Sequence, residues 1–143
     1  MITDVNLLSL WVEDLDEAKD FYVSTLGFEV RDDITMGDYR WLTVGVPGQE
    51  DLEVTLAVPG PPLDDEDAAA VRRMLGKGSM NGGGLAVDDC RATCADLQAK
   101  GVEFVQGPTD RPYGVEAVLR DNSGNWWVLV ERRPYAPADF GSA

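Results

Sequence analysis

Residues 5–12 alternate in a way that predicts a strand. Leu8, Leu10 and Val12 make one parity fully apolar, while Leu7, Ser9 and Trp11 make the other mixed. An acidic turn follows, and Leu15, Ala18, Phe21, Tyr22 and Leu26 then recur at helical spacing. Asp14 stands in N-cap position with Glu17 three residues on, and Gly27 is the expected stop. Phe28 to Arg31 begin the next strand, and Asp32 to Asp38 read as a turn or a loose strand. Tyr39 to Val46 and Asp51 to Val58 alternate again, so the first half is one strand, one helix and three strands.

The same grammar returns at Val87–Val105. Asp89 corresponds to Asp14 and Gly101 to Gly27, with one residue fewer inside the second helix. Such self-similarity marks two copies of one supersecondary unit. The second copy is expected to run from a weak strand at Gly82–Val87 through a helix whose core stripe is Ala92 or Thr93, Leu97 and Val102. A short strand at Phe104–Val105, a proline-containing loop, and strands at Val115–Arg120 and Trp126–Glu131 complete it. The expected boundaries are an N-terminal βαβββ module at 1–58, a connector with a short helix (Asp64–Leu75) at 59–80, a C-terminal βαβββ module at 81–133, and a fraying tail at 134–143. The whole reads as a single α+β structural domain.

Charge narrows the function classes. The chain has 143 residues, 26 acidic and 12 basic, for a net charge of −14. Nucleic acid and anionic membrane surfaces are therefore disfavoured as partners, and cations are favoured. Neither a secretory leader nor a membrane-length apolar run is seen, and two cysteines suit a reducing compartment, so a cytoplasmic location is expected. Cys90 and Cys94, at i and i+4, read as small buried residues. The absence of histidine excludes a Ser-His-Asp triad and any histidine-based metal site.

The run V-x-D-L-x-x-A-x-x-F-Y-x-x-x-L-G-F from Val12 to Phe28, with Y-G-V-x-x-x-x-R-D-x-x-G-N from Tyr113 to Asn125, resembles the glyoxalase/bleomycin-resistance group of the vicinal oxygen chelate superfamily. The resemblance implies two tandem βαβββ modules, each a curled mixed half-barrel sheet, enclosing a cleft and often exchanged across a homodimer. It also implies four metal-ligand places, which fall here on Leu7, Glu53, Gly82 and Val128. One carboxylate does not make a divalent-cation site. No metal or other cofactor is expected, and the resemblance points to the metal-free, drug-sequestering branch.

Strand parity then nominates a lining. If position 7 faces the cleft, Ser9 and Trp11 do too, and by the same rule Glu53 brings Thr55, Gly82 brings Gly84, and Val128 brings Trp126. Tyr39, Trp41, Thr43 and Arg120 complete the ligand-binding candidates. Aromatics provide stacking surface and glycines leave room, which suits a bulky, partly aromatic small molecule, with a cation favoured by the overall charge. The same aromatics could equally fill the space themselves or pack a dimer seam. The expected function is non-catalytic sequestration, as in antibiotic resistance. The alternatives are a metal-independent lyase or isomerase with Glu53 as base, and a structural dimer without ligand.

Overall fold

The computed structural model describes residues 1–141. Ser142 and Ala143, the end of the expected tail, lie outside the described residues. The described residues form two four-stranded sheets with three α-helices, an α+β architecture. Contacts divide it into two compact units. One comprises Met1–Met80 with Asn122–Gly124, the other Asn81–Asp121 with Asn125–Ala143.

In the first unit β1 (Leu7–Trp11), β2 (Glu29–Met36), β3 (Tyr39–Gly45) and β4 (Glu53–Ala57) order as β1-β4-β3-β2. β1 runs parallel to β4, and the other pairs are antiparallel. β2 continues through the acidic stretch read as a turn or a loose strand, because Asp33↔Leu42, Ile34↔Trp41 and Met36↔Tyr39 pair across a tight hairpin at Gly37–Asp38. The helix between β1 and β2 begins as α1 (Leu15–Asp20), capped by the Asp14 carboxylate on the Glu17 N–H. It ends in a π-helical turn at Phe21–Thr25, where the Leu26 N–H donates to the Phe21 carbonyl. A wider turn takes up one added residue, which accounts for the extra position in the first helix relative to the second. Leu10, Val12, Ala18, Tyr22, Phe28, Leu42, Val44 and Leu56 are buried together, and Tyr22 meets Phe28 edge-on at 5.4 Å. Leu8 shares their parity but is 55% exposed, at the start of the strand beyond the helix.

α2 (Asp65–Lys77) extends two residues past the expected end. Asp64 caps its start and Gly78, in the left-handed region, closes it. Ala68, Val71 and Leu75 are its buried stripe. The Gly124 backbone seats against the Leu75 carbonyl so closely that a Cβ would lie 2.0 Å from that oxygen.

The second unit holds β5 (Met80–Ala86, whose first residue falls in unit one), α3 (Cys90–Ala99), β6 (Phe104–Arg111), β7 (Gly114–Arg120) and β8 (Asn125–Arg132), ordered β5-β8-β7-β6. β6 is much longer than expected. Pro108 lies inside it, at a register shift between Gln106 and Thr109 on an edge strand, where a missing N–H costs no ladder bond. The buried stripe of α3 is Cys90, Cys94 and Leu97, with Val102 beyond it. Ala92 is exposed and Thr93 half-buried, so the expected stripe was rotated by two positions at its start. Across from it lie Ala117, Leu119, Trp127 and Leu129. Pro137–Phe140 form a 3₁₀ turn, and Tyr135 and Phe140 gather on Tyr113 with ring centroids 6.4 and 6.1 Å away.

Candidate functional site

Each sheet has one face under its helix and one open face. On the first sheet the open face carries Leu7 beside Glu53, Ser9 beside Thr55 and Thr43, and Trp11 beside Ala57. Trp41 and Tyr39 follow along β3, paired with Ile34 and Met36. All the candidates from this half therefore share one surface, opposite Leu10, Leu42, Val44 and Leu56. Its centre is polar. Thr43 Oγ1 donates to Glu53 Oε1 and accepts from the Asp32 N–H, both at 3.0 Å. The Thr55 hydroxyl is buried beside it with no hydrogen-bond partner among the described residues. The rim is apolar: Ile34 is 47% exposed, Met36 55% and Tyr39 52%.

At the hairpin end of this sheet the structure opens a groove of about 380 Å³. Trp11, Leu15, Tyr39, Ala57, Val58 and Pro61 make its apolar wall, and the charged residues Asp38 and Arg40 also line it. Arg40 is paired with two carboxylates. Its Nε and Nη2 donate to the two oxygens of Asp33 at 2.8 and 3.0 Å, and its Nη1 to Asp16 at 2.6 Å. Hydrogen bonds from Arg40, and then from Lys19, hold the Asp33 carboxyl well below the usual carboxylate range. Asp38 and Arg40 were not among the sequence candidates. They flank the hairpin turn, and the only available signal was Gly37-Asp38, which says turn and nothing about a groove.

The second sheet distributes its candidates differently. Glu116 pairs with Val130, Val118 with Val128, and Arg120 with Trp126, so these six share the open face of β7 and β8. All are half-buried. Arg120 pairs with Glu103 at 2.9 Å, while Asp121 is taken up by the backbone and side-chain N–H groups of Asn125. Gly84 belongs to a smaller recess of about 190 Å³ with Leu85, Ala86, Val130 and Arg132. Gly82 does not open onto free space: a Cβ there would lie 2.4 Å from Trp127 Nε1, and one at Gly83 would be 3.1 Å from the same indole. Trp127 belongs to the buried face. The glycines thus admit the protein's own tryptophan.

A polar network also lies on this sheet that strand parity alone did not single out. Tyr113 O–H donates to Glu116 Oε2, Gln106 Nε2 donates to Glu116 Oε1 at 3.3 Å, and Arg111 donates to Gln106 at 3.3 Å. The Glu116 hydrogen bond, with some burial, pushes the Tyr113 hydroxyl above its ordinary pKa. Glu116 follows the parity of β7, whereas Gln106, Arg111 and Tyr113 come from a proline-broken edge strand and the turn after it, where no regular spacing marks them.

The four metal-ligand places can be compared as built. Leu7 and Glu53 are direct neighbours. In the second sheet the Val87 N–H donates to the Val130 carbonyl, as Val12 does to Ala57 in the first. Carrying that register back places Trp126, rather than Val128, at the position equivalent to Glu53. Either way Glu53 is the single oxygen donor, and among the described residues no group of three or more His, Cys, Asp or Glu side chains could hold a metal ion. The residues do not fit a divalent metal.

Comparison with known proteins agrees with this architecture. A crystal structure of the protein UcmS2 superposes with a TM-score of 0.87 at 45% identity, covering 92% of this chain and 99% of that one. TnmS3, an antibiotic binding protein from Streptomyces sp. CB03234, superposes with a TM-score of 0.74 at 35% identity over 92% of this chain and 98% of its own. An uncharacterized protein of Shewanella frigidimarina is 32% identical over 91% of this chain and 94% of its own length. Residues 4–129 match the sequence model of the Glyoxalase/Bleomycin resistance protein/Dioxygenase superfamily, and the chain belongs to that superfamily.

Proposed function

We propose that this protein binds and sequesters a bulky, partly aromatic small molecule, in the manner of an antibiotic-resistance protein, without a metal and without turning the ligand over. The observation that carries the reading is the open face of the first sheet. It joins Trp11, Trp41 and Tyr39 to a groove of small-molecule size. The antibiotic-binding role of TnmS3, at 35% identity, supports the same class of ligand. The ligand-place residues Leu7, Gly82 and Val128 supply no metal donor, which removes the usual source of Lewis acidity in this superfamily. A net charge of −14 favours encounter with cations.

The test is incubation with bleomycin-type, enediyne-type and other aromatic antibiotics, with binding read by tryptophan quenching and the ligand then recovered and weighed by mass spectrometry. Sequestration predicts saturable binding, an unchanged ligand mass, and loss of binding in Trp11→Ala or Trp41→Ala. A changed mass that Glu53→Gln abolishes while binding survives would replace sequestration by catalysis at Glu53. No binding across the whole panel would leave a structural protein.

A further inference from the structure

We infer that the groove at the hairpin end of the first sheet is a seat for a planar organic cation, with Asp38 as its counter-charge. This rests on the sequestration reading and narrows the ligand class. The groove wall contains two aromatic side chains, Trp11 and Tyr39, at about 380 Å³. That volume lies in the small-molecule range, roughly 300–1,000 Å³. A flat ring system gains stacking surface from such a wall, and a delocalised positive charge gains further attraction from the electron-rich ring faces.

The charges around the groove select the sign. Arg40 lines it, but all of its hydrogen-bonded nitrogens serve Asp33 and Asp16, and Lys19 also serves Asp33 at 2.8 Å. Three carboxylates (Asp16, Asp33, Asp38) therefore face two cations (Arg40, Lys19). Asp38 is the remaining carboxylate. It makes no ion pair or side-chain hydrogen bond among the described residues, and it sits on the groove wall at the turn that joins β2 to β3. A guest anion would meet no uncompensated cation here, because the one lining cation is already paired with Asp33 and Asp16. A guest cation would find an uncompensated carboxylate beside two aromatic side chains.

The experiment uses the whole chain and three ring-matched fluorescent probes: proflavine as the planar cation, an uncharged anthracene derivative, and an anthracene sulfonate. The cation is expected to bind about tenfold more tightly than the neutral probe, with the sulfonate weakest. Asp38→Asn, at an exposed turn, is expected to weaken proflavine by about fivefold and leave the neutral probe unchanged. Added salt should weaken proflavine only. Trp11→Ala should weaken both bound probes. Equal binding of cation and neutral probe, an Asp38→Asn variant that binds proflavine as wild type does, or proflavine binding that survives Trp11→Ala would overturn the inference. If the planar probes fail while an antibiotic from the panel still binds, the inference falls and sequestration stands. If nothing binds, both fall.

Discussion

Gly82→Ala is the substitution whose sign distinguishes two readings of the glycine run. Gly82 has no left-handed backbone requirement. In a strand interior, replacing glycine by alanine would ordinarily stabilise by about 0.5–1 kcal/mol through chain entropy. If Gly82 faced open space reserved for a ligand, that gain would appear in full. In the structure a Cβ would lie 2.4 Å from Trp127 Nε1 and 2.5 Å from Cε2. Ordinary contact begins near about 3.5 Å, so the overlap is about 1 Å. The indole is 6% exposed and cannot swing aside without leaving the core. Overpacking of this kind costs about 1–3 kcal/mol, which exceeds the entropic gain. The net destabilisation should be about 1–2 kcal/mol, seen as a Tm lower by roughly 3–8 °C. Thermal unfolding by circular dichroism checks the sign. A double-mutant cycle locates the cause: in a Trp127→Leu background the same change should be neutral or stabilising, a coupling of at least about 1 kcal/mol. A rise in Tm on Gly82→Ala in the wild-type background would refute the reasoning.

Other expectations follow from the same structure. Burial pushes the Cys94 thiol up to about 12 and raises Cys90 as well, so iodoacetamide at pH 8 should label neither until denaturant is added; rapid native labelling would contradict their packing. Asp33 has a depressed carboxyl pKa, so its contribution is present above its unfolded value near 4 and is lost as pH falls below it. Asp33→Asn should therefore flatten the acid limb of urea stability below about pH 4 and cost about 1 kcal/mol or less at neutral pH, and an unchanged acid limb would refute the linkage. The two sheets end in edge strands β1, β2, β5 and β6, which suits pairing with a second copy, so light scattering should give twice 15.6 kDa, and a monomer at micromolar concentration would exclude it.

Local signals carried most of the fold. The alternation of Leu8, Leu10 and Val12, the Asp14 and Asp89 caps and the Gly27 and Gly101 stops depend on neighbours in sequence, and all three kinds of signal located their elements. The single-residue length difference between the helices was visible, but its form, a π-turn at Phe21–Thr25, depends on tertiary packing of Tyr22 and Phe28. Pro108 misled because proline argues against a strand, whereas an edge position with a bulge removes the objection. Cys90 and Cys94 are buried as their type suggested, while the α3 stripe slipped at its start because Ala92 and Thr93 carry apolar weight similar to that of the cysteines. At the site, parity grouped Ser9, Trp11, Thr43 and Thr55 on one face, as the register shows. It could not show that Trp127 reaches across to Gly82, since that contact joins residues far apart in the chain. Nor could it reveal that Arg40 is neutralised by partners on α1 and β2.

The most direct measurement is a tryptophan-quenching titration of the wild type and of Trp11→Ala and Trp41→Ala with the antibiotic panel, at matched protein concentration and with folding checked by circular dichroism. Sequestration at the open face predicts saturable quenching by at least one aromatic member and an affinity at least about tenfold weaker in both folded variants. Unaltered affinity in both variants, or no saturable quenching by any member, would contradict the account.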